Sequence, residues 1–157
     1  MSYDYHEAMK LDHQLCFPLY AAARSVTSLY TPWLKPLGLT YTQYLVFLVL
    51  WEKDGVTVTE IGEKLMLDNG TLSPLLKKLE QAGYLERRRC RGDDRVVEVT
   101  LTEKGKALQE KAKDVPMKVA DCIGLPPEKA QQLYLLLYEM LDNQRNRKIE
   151  ESKGVPQ

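Results

Sequence analysis

A mainly α-helical protein with one small β-hairpin is what this sequence predicts, and three observations predict it. Apolar residues recur at helical spacing through most of the 157-residue chain. Two strand-like runs, "YLERRR" and "RVVEVTL", interrupt that spacing once, around the turn "CRGDD". Hydrophobic residues make up 44% of the chain, enough for a globular core. No apolar run reaches the roughly 18 residues of a membrane span.

The first helical stretch covers about residues 8 to 35, with Leu15, Leu19, Ala22, Val26, Leu29 and Trp33 in phase. Pro18 lies inside it and should kink or restart the helix near Cys16, and Pro36 and Gly38 end it. "TYTQYLVFLVLWEKDG" starts a second helix, with Thr40 and Gln43 as a capping box and Gly55 beyond its end. Thr57 and Glu60 repeat the capping signal for a short helix through Leu65, with Ile61 and Leu65 as its buried pair. In "LDNGTLSPLLKKLEQAGY", Asp68 or Asn69 can cap a further helix and Gly83 can terminate it. Pro74 falls near its first turns, where a missing N–H costs least. Leu72, Leu75, Leu76 and Leu79 form its apolar face; Asn69, Thr71, Ser73, Lys77 and Lys78 form the other. After the hairpin, Thr102 and Gly105 open a charged helix to about Ala120, "GLPPEK" breaks it, and a last helix runs from about Pro127 to Lys148. That helix carries Leu133, Leu136, Leu137, Met140 and Leu141 on one face, and "EESKGVPQ" is a polar tail.

Two short capped helices, a connecting turn and a hairpin make a winged helix-turn-helix, here about residues 38–102. Helices over about 8–36 and 103–148 remain outside it within a single domain spanning 1–157. The second helix of the pair fits a major groove, with Asn69, Thr71 and Ser73 near the end that reaches base edges. Lys77 and Lys78 suit phosphates. Arg91 and Arg95, at the hairpin tip, suit the minor groove or the backbone, and Asp93 could position Arg95. The formal net charge is zero, but seven basic residues face four acidic ones between Lys77 and Arg95. A solvated lysine face is the plainer explanation of a charge run; its coincidence with this layout favours DNA.

One such module binds DNA weakly. The remaining helices carry more apolar surface than a small wing domain covers, so a homodimer is expected, with its reading helices about one DNA turn apart on a pseudo-palindromic operator. A monomer with a helical cap is the alternative. The start "MSYDYHEAMK" lacks a signal peptide's apolar core, so a cytoplasmic protein that meets no membrane is expected. Cys16, Cys90 and Cys122 form no metal-ligand spacing with each other or with His6 and His13, and no cofactor is expected. A lone cysteine such as Cys16 is ordinarily apolar filler, and a chemical one needs a stabilised thiolate and access for an oxidant.

In "LDHQLCFPLY", "LGLTYTQYLVFLVLWE", "LDNGTLSPLLKKLEQAGYL" and "DDRVVEVTLTEKG", over roughly residues 10 to 145, the sequence resembles the MarR family of transcriptional regulators. Within it, it resembles the organic-hydroperoxide-sensing OhrR group of the two-cysteine type. Asp93 and Arg95 match the family's Asp-x-Arg wing motif. The resemblance implies a repressor that leaves operator DNA when an organic hydroperoxide, its inducer, oxidises Cys16. It makes Cys122, in the break between the last two helices, the resolving cysteine. It makes Tyr30 and Tyr41 the phenols that stabilise the sulfur from the other subunit. Cys90 matches nothing in the pattern, and Tyr20 and Tyr44 read as core or pocket wall. Pro18, His13 and Thr42 depart from the pattern; Pro18 could shift the turn that carries Cys16. Cys16 and Tyr30, 14 residues apart, would lie about 21 Å apart on one continuous helix, too far to touch within a chain. Two other readings stand beside it: a thiol peroxidase enzyme that uses the same Cys16 and Cys122, and a MarR-type repressor released by a small aromatic ligand, with the cysteines incidental.

Overall fold

Capping chemistry sets the starts of the central helices. The structure, a computed structural model, describes residues 5–90 and 93–152, with side chains described over 5–90 and 96–147. A short helix α1 (Tyr5–Ala8) and a 3-10 turn (Leu11–His13) precede α2 (Cys16–Leu29). The helix does restart at Cys16. Pro18 is its third residue, where the missing N–H has no helical acceptor to lose. The stretch expected to run to residue 35 breaks again before α3 (Thr31–Leu34). Pro32 has no N–H for the Ser28 carbonyl, so α2 stops at Leu29. Gly38, at φ 70°, then turns the chain into α4 (Tyr41–Glu52).

Both expected capping boxes form. Gln43 N–H donates to Thr40 Oγ1 at 3.3 Å, and Thr40 N–H donates back to Gln43 Oε1 at 2.9 Å. At α5 (Val58–Leu65) the corresponding Thr57 and Glu60 distances are 3.1 and 2.7 Å. For α6 (Asn69–Gln81) the cap is Asp68, with Asn69 the first helical residue. Leu72, Leu76 and Leu79 are buried on α6, and Leu75 packs against them in part. Pro74 departs from expectation: it is the sixth residue of α6, not in its first turn, and leaves the Gly70 carbonyl without its helical donor. Both residues are exposed, so water can serve that carbonyl.

The sheet has three antiparallel strands in the order β1-β3-β2: β1 (Val56–Thr57), β2 (Leu85–Cys90) and β3 (Asp93–Leu101). The hairpin was expected; β1 was not. β1 pairs Val56 with Val99, and the hairpin runs from Leu85 opposite Leu101 to Arg89 opposite Val97, with a register slip at Cys90. Asp54 fastens the β1 turn to the sheet, its carboxylate accepting the Gly55 and Leu101 N–H groups at 2.9 Å each.

The charged helix expected from Thr102 to Ala120 is two helices, α7 (Glu103–Ala112) and α8 (Val115–Ile123). Pro116 cannot donate to the Ala112 carbonyl, and α7 ends there. Thr102 caps α7 through Gly105 N–H at 3.2 Å and donates its own hydroxyl to the Gly83 carbonyl at 2.7 Å. Trp51 Nε1 donates to the Gly105 carbonyl at 3.1 Å. The core lies among α3, α4, α5, α6, the sheet, α7 and α8, around Leu34, Tyr44, Phe47, Ile61, Leu76 and Val119. Tyr44 is core, as expected, but Tyr20 is 59% exposed, and α2 buries none of its residues.

These elements belong to a unit ending at Cys122; the second unit contains α9 (Pro127–Ser152). Gly124, at φ 71°, stands before that helix. On α9, Leu133, Tyr134, Leu135, Leu136 and Tyr138 are exposed, and the Tyr134 and Tyr138 rings meet at 4.5 Å.

Candidate nucleic-acid interface and thiol site

On α6 the side opposite the buried leucines carries Asn69, Thr71, Ser73, Lys77 and Lys78, all exposed. Asp68 accepts both the Thr71 N–H, at 2.8 Å, and the Thr71 hydroxyl, at 3.1 Å. Thr71's own proton is therefore spent inside the cap, and its oxygen faces outward as an acceptor. The same two bonds, the main-chain one first, hold the Asp68 carboxyl below the usual carboxylate range.

The wing holds less free positive charge than composition implies. Arg87 is bound to Glu80 at 2.7 Å and Arg88 to Glu86 at 2.6 Å. Arg89 is exposed on β2. Arg91 lies outside the described residues. Asp93 and Arg95 lie on β3, with side chains outside the described ones, as does the expected contact between them.

Cys16, Cys90 and Cys122 are free thiols. Cys16 is exposed at the first position of α2. Its N-cap is Leu15, which supplies no capping acceptor; the Phe17 N–H donates to the Gln14 carbonyl at 3.2 Å, and Pro18 has no N–H to offer. Cys122 is exposed in the last turn of α8, not in the break that follows it as expected. Cys90 is half-buried at the end of β2.

Tyr30 and Tyr41 come together, with ring centroids 4.7 Å apart, and Tyr44 stands 5.8 Å from Tyr30. Burial pushes all three phenols up, so they stay protonated and remain donors. Tyr30 and Tyr41 line a cleft of about 410 Å³ with Thr27, Thr31, Lys35 and Thr40. Cys16 is not part of it. It stands at the opposite end of the 14-residue α2, about 21 Å from Tyr30 along the helix. The Glu80–Arg87 pair, the Asp54 fastening and the Trp51–Gly105 bond were not anticipated. Only the first left a signal, opposite charges on either side of the Gly83 turn.

The family described as transcriptional regulator SarA/Rot matches residues 28–112. The organic hydroperoxide resistance transcriptional regulator of Bacillus subtilis (strain 168) is 46% identical over 134 residues, covering 85% of this chain and 91% of its own. Among solved structures, reduced AbfR bound to DNA has a TM-score of 0.72 at 38% identity, covering 88% of this chain and 96% of its own. Disulfide-formed AbfR has a TM-score of 0.60 at 38% identity, covering 87% and 96%. AbfR is a protein of Staphylococcus epidermidis. With the winged helix-turn-helix, these likenesses place the chain in the MarR family of transcriptional regulators, in its organic-hydroperoxide-regulator group.

Proposed function

We propose that this protein is a homodimeric repressor of a pseudo-palindromic operator, released when an organic hydroperoxide oxidises Cys16. One observation carries the reading: the exposed sulfur and the half-buried Tyr30–Tyr41 pair lie toward opposite ends of an α2 that has no fully buried residue. Two copies of α2 crossing antiparallel would bring each Cys16 to the partner's Tyr30 and Tyr41 and would cover both helices. Helices outside residues 38–102 form the dimer. α6 reads the major groove through Asn69, Thr71 and Ser73, Lys77 and Lys78 hold phosphates, and Arg91 and Arg95 reach the minor groove or the backbone.

The Cys16 thiolate attacks the peroxide O–O bond. Sulfur takes the hydroxyl as sulfenic acid, and the alkoxide leaves and is protonated to the alcohol. The Cys122 thiol then attacks the sulfenic sulfur, forming a disulfide and releasing water. Sulfur atoms bond at about 2.05 Å, so closing this bond moves α8 relative to α2 and displaces the reading helices from one DNA turn. A coupling of about 1–3 kcal/mol would weaken operator binding roughly 5- to 150-fold.

The test is operator affinity before and after organic hydroperoxide, in wild type, Cys16→Ser and Cys122→Ser. Cys16→Ser should bind and ignore peroxide; Cys122→Ser should stop at sulfenic acid and form no covalent dimer on a non-reducing gel. The cleft beside Tyr30 and Tyr41 favours a second reading, release by a small aromatic ligand. Induction unchanged in Cys16→Ser would establish that reading instead. Many peroxide turnovers per thiol under excess reductant would make the protein a thiol peroxidase.

A further inference from the structure

We propose that Glu80 and Arg87 are positioning residues that hold the wing at a set angle to α6, and that this clamp, not a phosphate contact, is what Arg87 contributes to operator binding. The inference rests on reading the chain as a DNA-binding regulator. The pair joins the end of α6 to the middle of β2 across the turn at Gly83, φ 74°. Arg87 Nη2 and Nε donate to Glu80 Oε2 at 2.7 and 3.0 Å, and the Arg87 main-chain N–H donates to Glu80 Oε1 at 3.1 Å. One carboxylate thus binds both the side chain and the backbone of the same strand residue.

β2 is an edge strand in the order β1-β3-β2, so its outward N–H groups have no strand partner, and Glu80 supplies an acceptor for one of them. The guanidinium fork fixes direction as well as distance. The two side chains are 26% and 34% exposed, whereas every other ion pair among the described residues has at least one side chain more than half exposed. Solvent therefore screens this pair least. Arg87 also holds the Glu80 carboxyl below the usual range, so the clamp stays charged at neutral pH. A guanidinium neutralised in this way has little charge left for phosphate.

The sign of one substitution separates the two roles. Glu80→Gln removes a negative charge beside DNA, which by electrostatics alone should tighten binding. Positioning predicts the opposite: operator affinity three- to tenfold weaker (roughly 0.7–1.4 kcal/mol), with hydroxyl-radical protection lost where the wing lies and kept where α6 lies. Arg87→Lys keeps the charge but loses the fork, and should behave like Glu80→Gln with the salt slope unchanged. A phosphate-binding Arg87 would instead leave Arg87→Lys near wild type and lower the slope by about one in Arg87→Gln. Affinity in Glu80→Gln equal to or tighter than wild type, with an unchanged footprint, overturns the proposal. So does a uniform loss of all protections, which would make the pair merely structural. Wild-type protein that binds no DNA overturns the underlying reading instead.

Discussion

Replacing Gly105 by alanine should destabilise the protein, although alanine is the better helix former. Gly105 is the third residue of α7, packed on the turn that leads from α6 into β2. A Cβ there would stand 2.2 Å from the Tyr84 carbonyl oxygen and 2.9 Å from Leu101 Cδ2. Favourable contacts lie at about 3.5 Å, so α7 must retreat by roughly 1 Å. The obstacle is main chain, and no rotamer change relieves it. Overpacking of this kind costs about 1–3 kcal/mol. The retreat also strains two bonds at the same residue: Trp51 Nε1 to the Gly105 carbonyl, at 3.1 Å, and Gly105 N–H to Thr102, at 3.2 Å. Losing one of them adds about 1 kcal/mol. The helix-propensity gain of alanine, at most about 1 kcal/mol, offsets part of this. The net is about 2 kcal/mol, which lowers Tm by roughly 4–8 °C for a chain of this size. Thermal unfolding followed by circular dichroism at fixed protomer concentration measures it. A Gly105→Ala protein as stable as wild type, or more so, would refute the close-approach argument.

Three further outcomes are expected. Asp68→Ala should lower Tm by a few degrees by uncapping α6. Because the folded carboxyl titrates below its ordinary range, the contribution of Asp68 is complete above the ordinary value near 3.8 and is lost as pH falls through the lowered one. The wild-type minus Asp68→Ala difference in Tm should therefore shrink in acid and stay level from pH 5 upward; a difference that grows in acid contradicts the cap. Lys77→Ala should weaken binding to all DNA sequences alike and reduce the salt slope by about one unit, measured by titration at several salt concentrations; a loss confined to the operator would make Lys77 a base reader. Tyr30→Phe and Tyr41→Phe should each slow peroxide-triggered release several-fold in stopped-flow fluorescence while leaving reduced-state affinity near wild type, and unchanged release rates in both would remove the phenols from the site.

What could be read in the sequence was local. Thr40 with Gln43 and Thr57 with Glu60 are side chain and backbone three residues apart, and both boxes form as expected. The α6 leucine spacing survives because burial on one face selects it. β1 escaped notice because two residues show no period; it exists only through pairing with β3, about 40 residues away. The break at Lys113 had a local cause in Pro116, hidden by the charged run around it. Tyr20 reads as core or pocket wall, yet it is exposed on an α2 that packs on the core of its own chain through Leu29, its last residue. The separation of Cys16 from Tyr30 needed only the rise per residue.

The basic segment shows why charge counted along a chain misleads about a binding face. Seven positive residues between Lys77 and Arg95 read as one cationic surface. Folding divides them by what lies beside each. The turn at Gly83 brings β2 back along α6, so Arg87 meets Glu80 and is consumed in holding two elements together. Arg88 meets Glu86 two residues away on the same strand. Lys77 and Lys78 on α6 and Arg89 on β2 remain exposed. Those three, with the wing tip, carry whatever field steers the protein to phosphate. Arg87, near the root of the wing, is the one proposed to set where that tip can reach. Affinity and geometry thus fall to different members of one charge run, and the salt slope distinguishes them: a residue that touches phosphate changes it, and a residue that only orients the wing does not.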